Sequence, residues 1–213
     1  MPGASVAVIG AGPAGLAAAI AAATAGSGVA VFEQQPAACR RLLATGGGHC
    51  NFTNVLDPAA AAKRFGPKER FVFPALKAVD SKRLRGFFAD IGVPSCSLDG
   101  FHVFPESNSA AKVRDALMLA CEKLDVKFRY GARATGLTID SGRVTGVLIN
   151  GVPEKAAWVI LSSGAASRPE LGGGQSGFEL AKAAGHTIVS PCPALVPLVV
   201  QEKWPGSLAG ITI

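Results

Sequence analysis

Residues 5–33 constrain the fold more than any other stretch of this sequence. Ser5 to Ile9 reads SVAVI, a short β-branched run of the kind buried in a parallel sheet, and it stops at Gly10. Leu16 to Ala25, LAAAIAAATA, is rich in the strongest helix former, and Gly26-Ser27-Gly28 ends it before a second strand, Val29 to Phe32. The turn between strand and helix is Gly10-x-Gly12-x-x-Gly15, Ala19 continues the small-residue pattern along the helix, and Glu33 closes the second strand. This order predicts a βαβ unit and hence an α/β fold.

Each of these residues has a physical task. Gly10 allows the tight turn out of the strand, Gly12 lets a pyrophosphate approach bare backbone, and Gly15 with Ala19 lets the helix pack close to the sheet. The helix N-terminus turns unpaired N–H groups and the positive end of its dipole toward phosphate, while Glu33 can accept hydrogen bonds from a ribose diol. An acid rather than a base at position 33 argues against a 2′-phosphate, and so against NADP, at this site.

Composition narrows the class. Of 213 residues, 49% are hydrophobic and 17% charged, against about 25% charged in soluble domains. A disordered chain is excluded, and a surface meant to be covered is suggested. The net charge of +6 is local, since residues 61–86 hold eight basic residues against Glu69 and Asp80. A nucleic-acid partner is conceivable there. The favoured reading is a solvated helix face, with Ser81 as N-cap and Leu84, Phe87, Phe88 and Ile91 as its apolar stripe. The five cysteines are scattered without a C-x-x-C pair, which disfavours a disulfide framework or structural zinc. The uncharged run from Val6 to Gly28 is broken at Gly12-Pro13 and lacks a basic leader, so neither a signal peptide nor a membrane span is read, and a cytoplasmic protein is expected.

Beyond Glu33, Arg40 to Asn54 reads RRLLATGGGHCNFTN, too polar and irregular for an element interior, and is expected to be a ligand-covering loop. Gly46, Gly47 and Gly48 bring bare amides near something flat or anionic, with Thr45, Asn51 and Thr53 as hydrogen-bonding neighbours. Ser109 to Leu124 is an amphipathic helix, and Val126 to Tyr130 a strand. A small antiparallel β-meander then runs through Leu137 to Ile139, Val144 to Ile149 and Ala157 to Leu161, with turns at Asp140-Ser141-Gly142 and Asn150-Gly151. Its last run ends at Gly164, in small residues of the kind found where a nucleotide meets strand ends.

With these segments in view, the chain resembles the bacterial aminoacetone-oxidase-like FAD-binding family of NAD(P)/FAD-dependent oxidoreductase flavoproteins. The resemblance rests on GAGPAG at Gly10, RRLLATGGGHCNFTN at Arg40, GFHVFPESNSA at Gly100, VILSSGAASRPELGGGQSGFELAKAAGH at Val159 and PALVPL at Pro193. It implies a glutathione-reductase-type, Rossmann-like FAD-binding domain, C-terminally truncated at residues 1–193, with residues 194–213 beginning an inserted β-rich domain. It also implies that Gly10, Gly12, Pro13, Ala14 and Gly15 cradle the pyrophosphate, and that Glu33 and Gln34 meet the adenosine ribose. Arg41 with Thr45 to Asn51, Cys50 included, would line the pyrophosphate and flavin. The Ala134 backbone would pair with adenine, beside Ser163 and Gly164. Three departures from the family pattern fall on the flavin side: His49 in place of arginine, SSGA at Ser162 to Ala165, and Gly174-Gln175-Ser176 in place of T-G-D.

The implied function is FAD-dependent oxidation of a small amine or reduction of an enone-type small molecule, with NAD(P)H admitted as a transient electron donor. A nucleotide-binding fragment without turnover and an RNA-acting flavoprotein are the alternatives, and self-association through uncovered surface is expected. No catalytic base is assigned. His49 and Cys50 are the nearest candidates, His102 and His186 read as structural, and Phe178 in place of glycine denies Ser176 a nucleophile elbow.

Overall fold

A computed structural model describes residues 6–192. Strand β1 (Val6–Ile9) leads through Gly10 into helix α1 (Pro13–Thr24), and Gly26, at φ 86°, turns the chain into β2 (Val29–Glu33). The helix begins at Pro13 rather than at Leu16, because Gly12 is its extended N-cap and proline suits the first turn, where no N–H is required. The stretch expected to be an irregular loop is more ordered than its polarity suggested. It holds a short helix α2 (Arg40–Leu43), a 3₁₀ turn at Gly46–Gly48 and strand β3 (Thr53–Asn54).

A helical excursion follows: α3 (Pro58–Lys63), α4 (Glu69–Ala78) and α5 (Ser81–Asp90). Strands β4 (Ser95–Cys96) and β5 (His102–Pro105) complete a three-stranded sheet in the order β3-β5-β4. The expected cap of α5 needs correction. Asp80 is the N-cap, its carboxylate accepting from Arg83 N at 2.8 Å, while the Ser81 hydroxyl donates to the Asn54 carbonyl. The apolar stripe of α5 is as read, with Phe88 buried and Leu84, Phe87 and Ile91 packed against the same core.

The chain returns through α6 (Ala110–Lys123), capped by Ser109, to β6 (Lys127–Tyr130). Next come the antiparallel strands β7 (Ala134–Asp140), β8 (Arg143–Ile149) and β9 (Val152–Lys155), then β10 (Trp158–Leu161) and α7 (Ser176–Ala183). Here the expected meander is corrected. Its third strand is β9, whereas the Trp158–Leu161 run pairs in parallel with β1. Pro153 hid β9 from the sequence pattern, and the sheet tolerates it because β9 is an edge strand paired on one side with β8.

The main sheet is parallel, in the order β10-β1-β2-β6. β1 and β2 leave by helical crossovers on one side, while β10 lies on the other side of β1, so the strand order reverses between β1 and β10. Such a switch point opens a crevice at the carboxyl ends of the strands. Side chains alternate between two cores. Val6, Val8, Val29 and Val31 face α1 and α6 through Leu16, Ile20, Val113 and Leu117. Ala7, Ile9 and Phe32 face β7, β8 and α7 through Ala134, Val147, Ile149 and Leu180. The expected 194–213 domain lies outside the described residues.

Candidate functional site: a cleft at the strand ends

Three strand ends meet at the mouth of the switch point. Gly10 N donates to the Phe32 carbonyl at 2.8 Å, tying β1 to β2, and Ser162 N donates to the Ile9 carbonyl at 2.9 Å, tying β10 to β1. The Ser162 hydroxyl reaches the Ile9 and Gly10 carbonyls at 2.9 and 3.2 Å, fastening the turn from beneath. The turn needs glycine here. Gly10 has φ 102°, and a Cβ on it would stand 2.6 Å from the Ser162 carbonyl oxygen. Gly15 serves packing, since its Cβ would lie 2.0 Å from the Gly10 oxygen. Gly12 differs from both, because a Cβ there meets nothing within 4 Å. It opens onto a cleft of about 250 Å³.

The N-terminus of α1 opens on the same cleft, lined there by Gly12, Pro13 and Ala14. No side chain caps this helix and no acid sits in its first turn, so its leading N–H groups and dipole remain available to an anion. At the end of β2, Glu33 spans two turns. One carboxylate oxygen accepts from Ala11 N at 2.8 Å and the other from Gln35 N at 2.8 Å. Ala132 N donates to the Glu33 carbonyl at 2.9 Å, which brings Ala134 at the start of β7 to the cleft wall. Across from it, Arg40 donates to the Gln35 side chain at 2.5 Å.

Arg41 reaches from α2 to the segment after β10. Its Nη2 donates to Ser167 Oγ at 3.2 Å, and its Nε is buried without a hydrogen-bond partner. Glycines make room for the guanidinium, since a Cβ on Gly164 or Gly173 would come within 3.0 or 2.6 Å of it. The cleft floor is thiol-bearing but unreactive. Cys39 donates to the Ala11 carbonyl at 3.5 Å, and burial pushes its pKa up to about 12.

Of the residues singled out in the sequence, Gly10, Gly12, Pro13, Ala14, Glu33, Gln34, Arg41, Ala134, Ser163 and Gly164 line this one cleft. Thr45, Gly47, Gly48, Cys50 and Asn51 do not. Cys50 is buried in the α1–α6 core with its thiol pushed up by desolvation, and Asn51 donates to the Val103 carbonyl at 3.4 Å. His102 pairs with Asp99 at 2.5 Å on the surface, where that hydrogen bond and two backbone N–H groups hold the Asp99 carboxyl down to about 2. Among the described residues no cluster of three or more metal-ligating side chains occurs. Sequence reasoning gave no role to Gln35 or Arg133, which line the cleft, and named Arg40, Ser162 and Ser176, which also line it, only within the longer segments it placed at the ligand. Arg40 and Gln35 flank recognised residues, and that adjacency was the available signal.

Residues 4–212 match the family model described as the HI0933-like protein Rossmann domain. The chain is 33% identical over 208 residues to the 3-dehydro-bile acid delta(4,6)-reductase of Clostridium scindens, covering 97% of this chain and 50% of that protein. It is 28% identical to the ribosomal RNA dihydrouridine synthase of Haemophilus influenzae, over 97% of this chain and 52% of the relative. The chain thus spans about half the length of the curated relatives it matches. Among solved structures, the 3-ketosteroid-delta4-(5alpha)-dehydrogenase of Rhodococcus jostii RHA1 superimposes with a TM-score of 0.65 at 21% identity, over 85% of this chain and 54% of that one. A flavocytochrome c3 fumarate reductase gives 0.67 at 18% identity, over 85% and 40%. At these identities the likeness is one of fold.

Proposed function

The chain belongs to the HI0933-like Rossmann-domain family, and from that membership we propose that its cleft holds FAD and serves a flavin-dependent oxidoreductase. The carrying observation is the open face of Gly12 beside an uncapped helix N-terminus, with the Glu33 carboxylate at the end of the neighbouring strand. Gly10, Gly12, Pro13 and Ala14 would face the pyrophosphate, and the unpartnered Nε of Arg41 is a donor available to the same phosphates. Glu33 would accept from the ribose hydroxyls with the lone pairs that Ala11 and Gln35 leave free. The backbone of Ala134 would meet adenine. The residues fit the group, and FAD when bound supplies the hydride chemistry that protein side chains cannot. Thr45 to Asn51 are assigned to the flavin end on family resemblance.

The reaction we infer is reduction of a carbon–carbon double bond conjugated to a carbonyl, in a small molecule, with a nicotinamide nucleotide as the transient donor. The 33% identical relative is named for the reduction of such a double bond in a bile acid. Purified chain should carry visible flavin absorbance or acquire it on titration with FAD, and ADP should compete. Anaerobic assays then offer the loaded protein a steroid enone with NADH or NADPH, and in parallel a small primary amine. Enone-dependent reoxidation supports the reading, and bleaching by the amine alone replaces it with amine oxidation. FAD bound without turnover would mean that this stretch of chain holds the cofactor while the chemistry needs more of the protein.

A further inference from the structure

The guanidinium of Arg41 sits in a slot formed by a distant part of the chain. It reaches from α2 to the segment after β10, 126 residues away in sequence, where its Nη2 donates to Ser167 Oγ. A Cβ on Gly164 would stand 3.0 Å from Nη1 and one on Gly173 2.6 Å from Nη2, so glycine at both positions admits the group. Among the described residues Arg41 forms no ion pair, its Nη1 makes no hydrogen bond, and its Nε is buried without a partner. Arg40, Arg41 and Arg133 line the cleft against a single acid, Glu33, and both oxygens of that carboxylate already accept backbone N–H groups. A half-buried cation with two unanswered nitrogens is a seat for an anion rather than a brace for the fold. Ser167 itself is exposed, so its hydroxyl adds little to stability. What it sets is direction. A guanidinium is planar and rigid, and fixing Nη2 fixes where Nη1 and Nε point.

We propose that Ser167 is a positioning residue: by holding Nη2 it aims the remaining donors of Arg41 at the second phosphate of a nucleoside diphosphate, and so makes the cleft select diphosphates over monophosphates. The inference rests on the reading of the cleft as a dinucleotide site. Two anion seats lie on different elements, one at the uncapped start of α1 with Gly12, Pro13 and Ala14, the other at Arg41 on α2. A single phosphate occupies one seat, whereas a diphosphate engages both. A freely rotating arginine would blur the second seat, because its side-chain entropy is given up at the moment of binding. The Ser167 hydroxyl removes that freedom in advance. Lysine would not serve at position 41, since an ammonium has no plane for a neighbour to set.

The test is calorimetric titration of the whole chain, freed of nucleotide, with adenosine, AMP and ADP. The parent should bind ADP roughly 10- to 150-fold more tightly than AMP, the scale of a charged hydrogen bond expressed as an affinity ratio. Ser167→Ala should reduce that ratio roughly 3- to 10-fold by weakening ADP alone, and Arg41→Ala should abolish it. Ser167→Thr, which returns a hydroxyl, should restore most of it. Adenosine and AMP affinities and the thermal midpoint should stay at parental values in both Ser167 variants. A hydroxyl with a merely structural role would lower all three affinities together, and that result overturns the proposal. ADP binding with a ratio that Ser167→Ala leaves unchanged overturns the proposal while the reading of the cleft stands. Absence of binding by all three ligands overturns that reading and the proposal with it.

Discussion

The Glu33 carboxylate accepts a hydrogen bond from the Ala11 amide at 2.8 Å across the cleft floor, joining the end of β2 to the glycine turn that follows β1. The acid therefore shapes the cleft before any nucleotide arrives. Replacing it should harm the empty protein as well as the complex. Glu33→Ala is expected to weaken FAD binding by roughly 1.5–3 kcal/mol, the scale for losing a charged hydrogen bond. It should also lower the melting temperature of the protein freed of nucleotide. Isothermal titration and thermal unfolding read the two effects separately, and an unchanged dissociation constant would remove Glu33 from the site.

Two of the turn glycines should separate binding from folding. Gly12→Val adds a branched side chain where nothing lies within 4 Å. It is expected to leave circular dichroism unchanged and to abolish FAD retention, because the added methyls fill the approach of the pyrophosphate. Gly15→Ala forces a Cβ to 2.0 Å from the Gly10 oxygen and should destabilise the fold itself. If both variants bind or both unfold, the division of labour is wrong.

Burial of thiols makes stability depend on alkaline pH. Desolvation raises Cys39 from 9.0 to about 12 and Cys121 from 9.0 to about 11. Above pH 9.0 the unfolded chain gives up these protons while the folded chain keeps them, so rising pH favours unfolding. Each thiol should withdraw about 1.4 kcal/mol per pH unit within its window. Urea midpoints measured from about pH 8 to about pH 10.5 check this. In the native protein Ellman's reagent should modify exposed Cys192 first and half-buried Cys96 more slowly, with Cys39, Cys50 and Cys121 protected until unfolding.

Two phenylalanines of the helical excursion should behave oppositely. Phe88 is 7% exposed with its ring centroid 4.5 Å from that of Phe52, and Phe88→Ala should cost about 3–5 kcal/mol. Phe71 is 84% exposed, and Phe71→Ala should shift stability by less than about 0.5 kcal/mol. Chemical denaturation of both variants measures the contrast.

The βαβ unit was legible because local signals agreed: β-branched strand, glycine turn, alanine-rich helix and acid each specify the same arrangement. The seat of Arg41 against Gly164 and Gly173 was legible only in part, since these residues meet across a long sequence separation and their fit depends on the absence of a Cβ. The strand Val152–Lys155 escaped because Pro153 argues against a strand wherever the edge position is unknown. Trp158–Leu161 has the β-branched look of a strand but carries no mark of which sheet it joins. The capping error at Ser81 has a similar cause. Asp80 and Ser81 are adjacent and both cap well, and only the fold turns Ser81 toward the Asn54 carbonyl.

The alternation along β1, with Val6 and Val8 turned to one side and Ala7 and Ile9 to the other, has a consequence for how the molecule comes apart. One strand is a party wall between two rooms, and the cleft is the doorway at its end. Neither side can lose its packing without withdrawing support from the other, so opening of the doorway and collapse of the building should be one event. A spectroscopic probe at the cleft mouth and a global probe of helix content would then trace a single melting curve. The annex of α3 and α4 contributes no residue to either room.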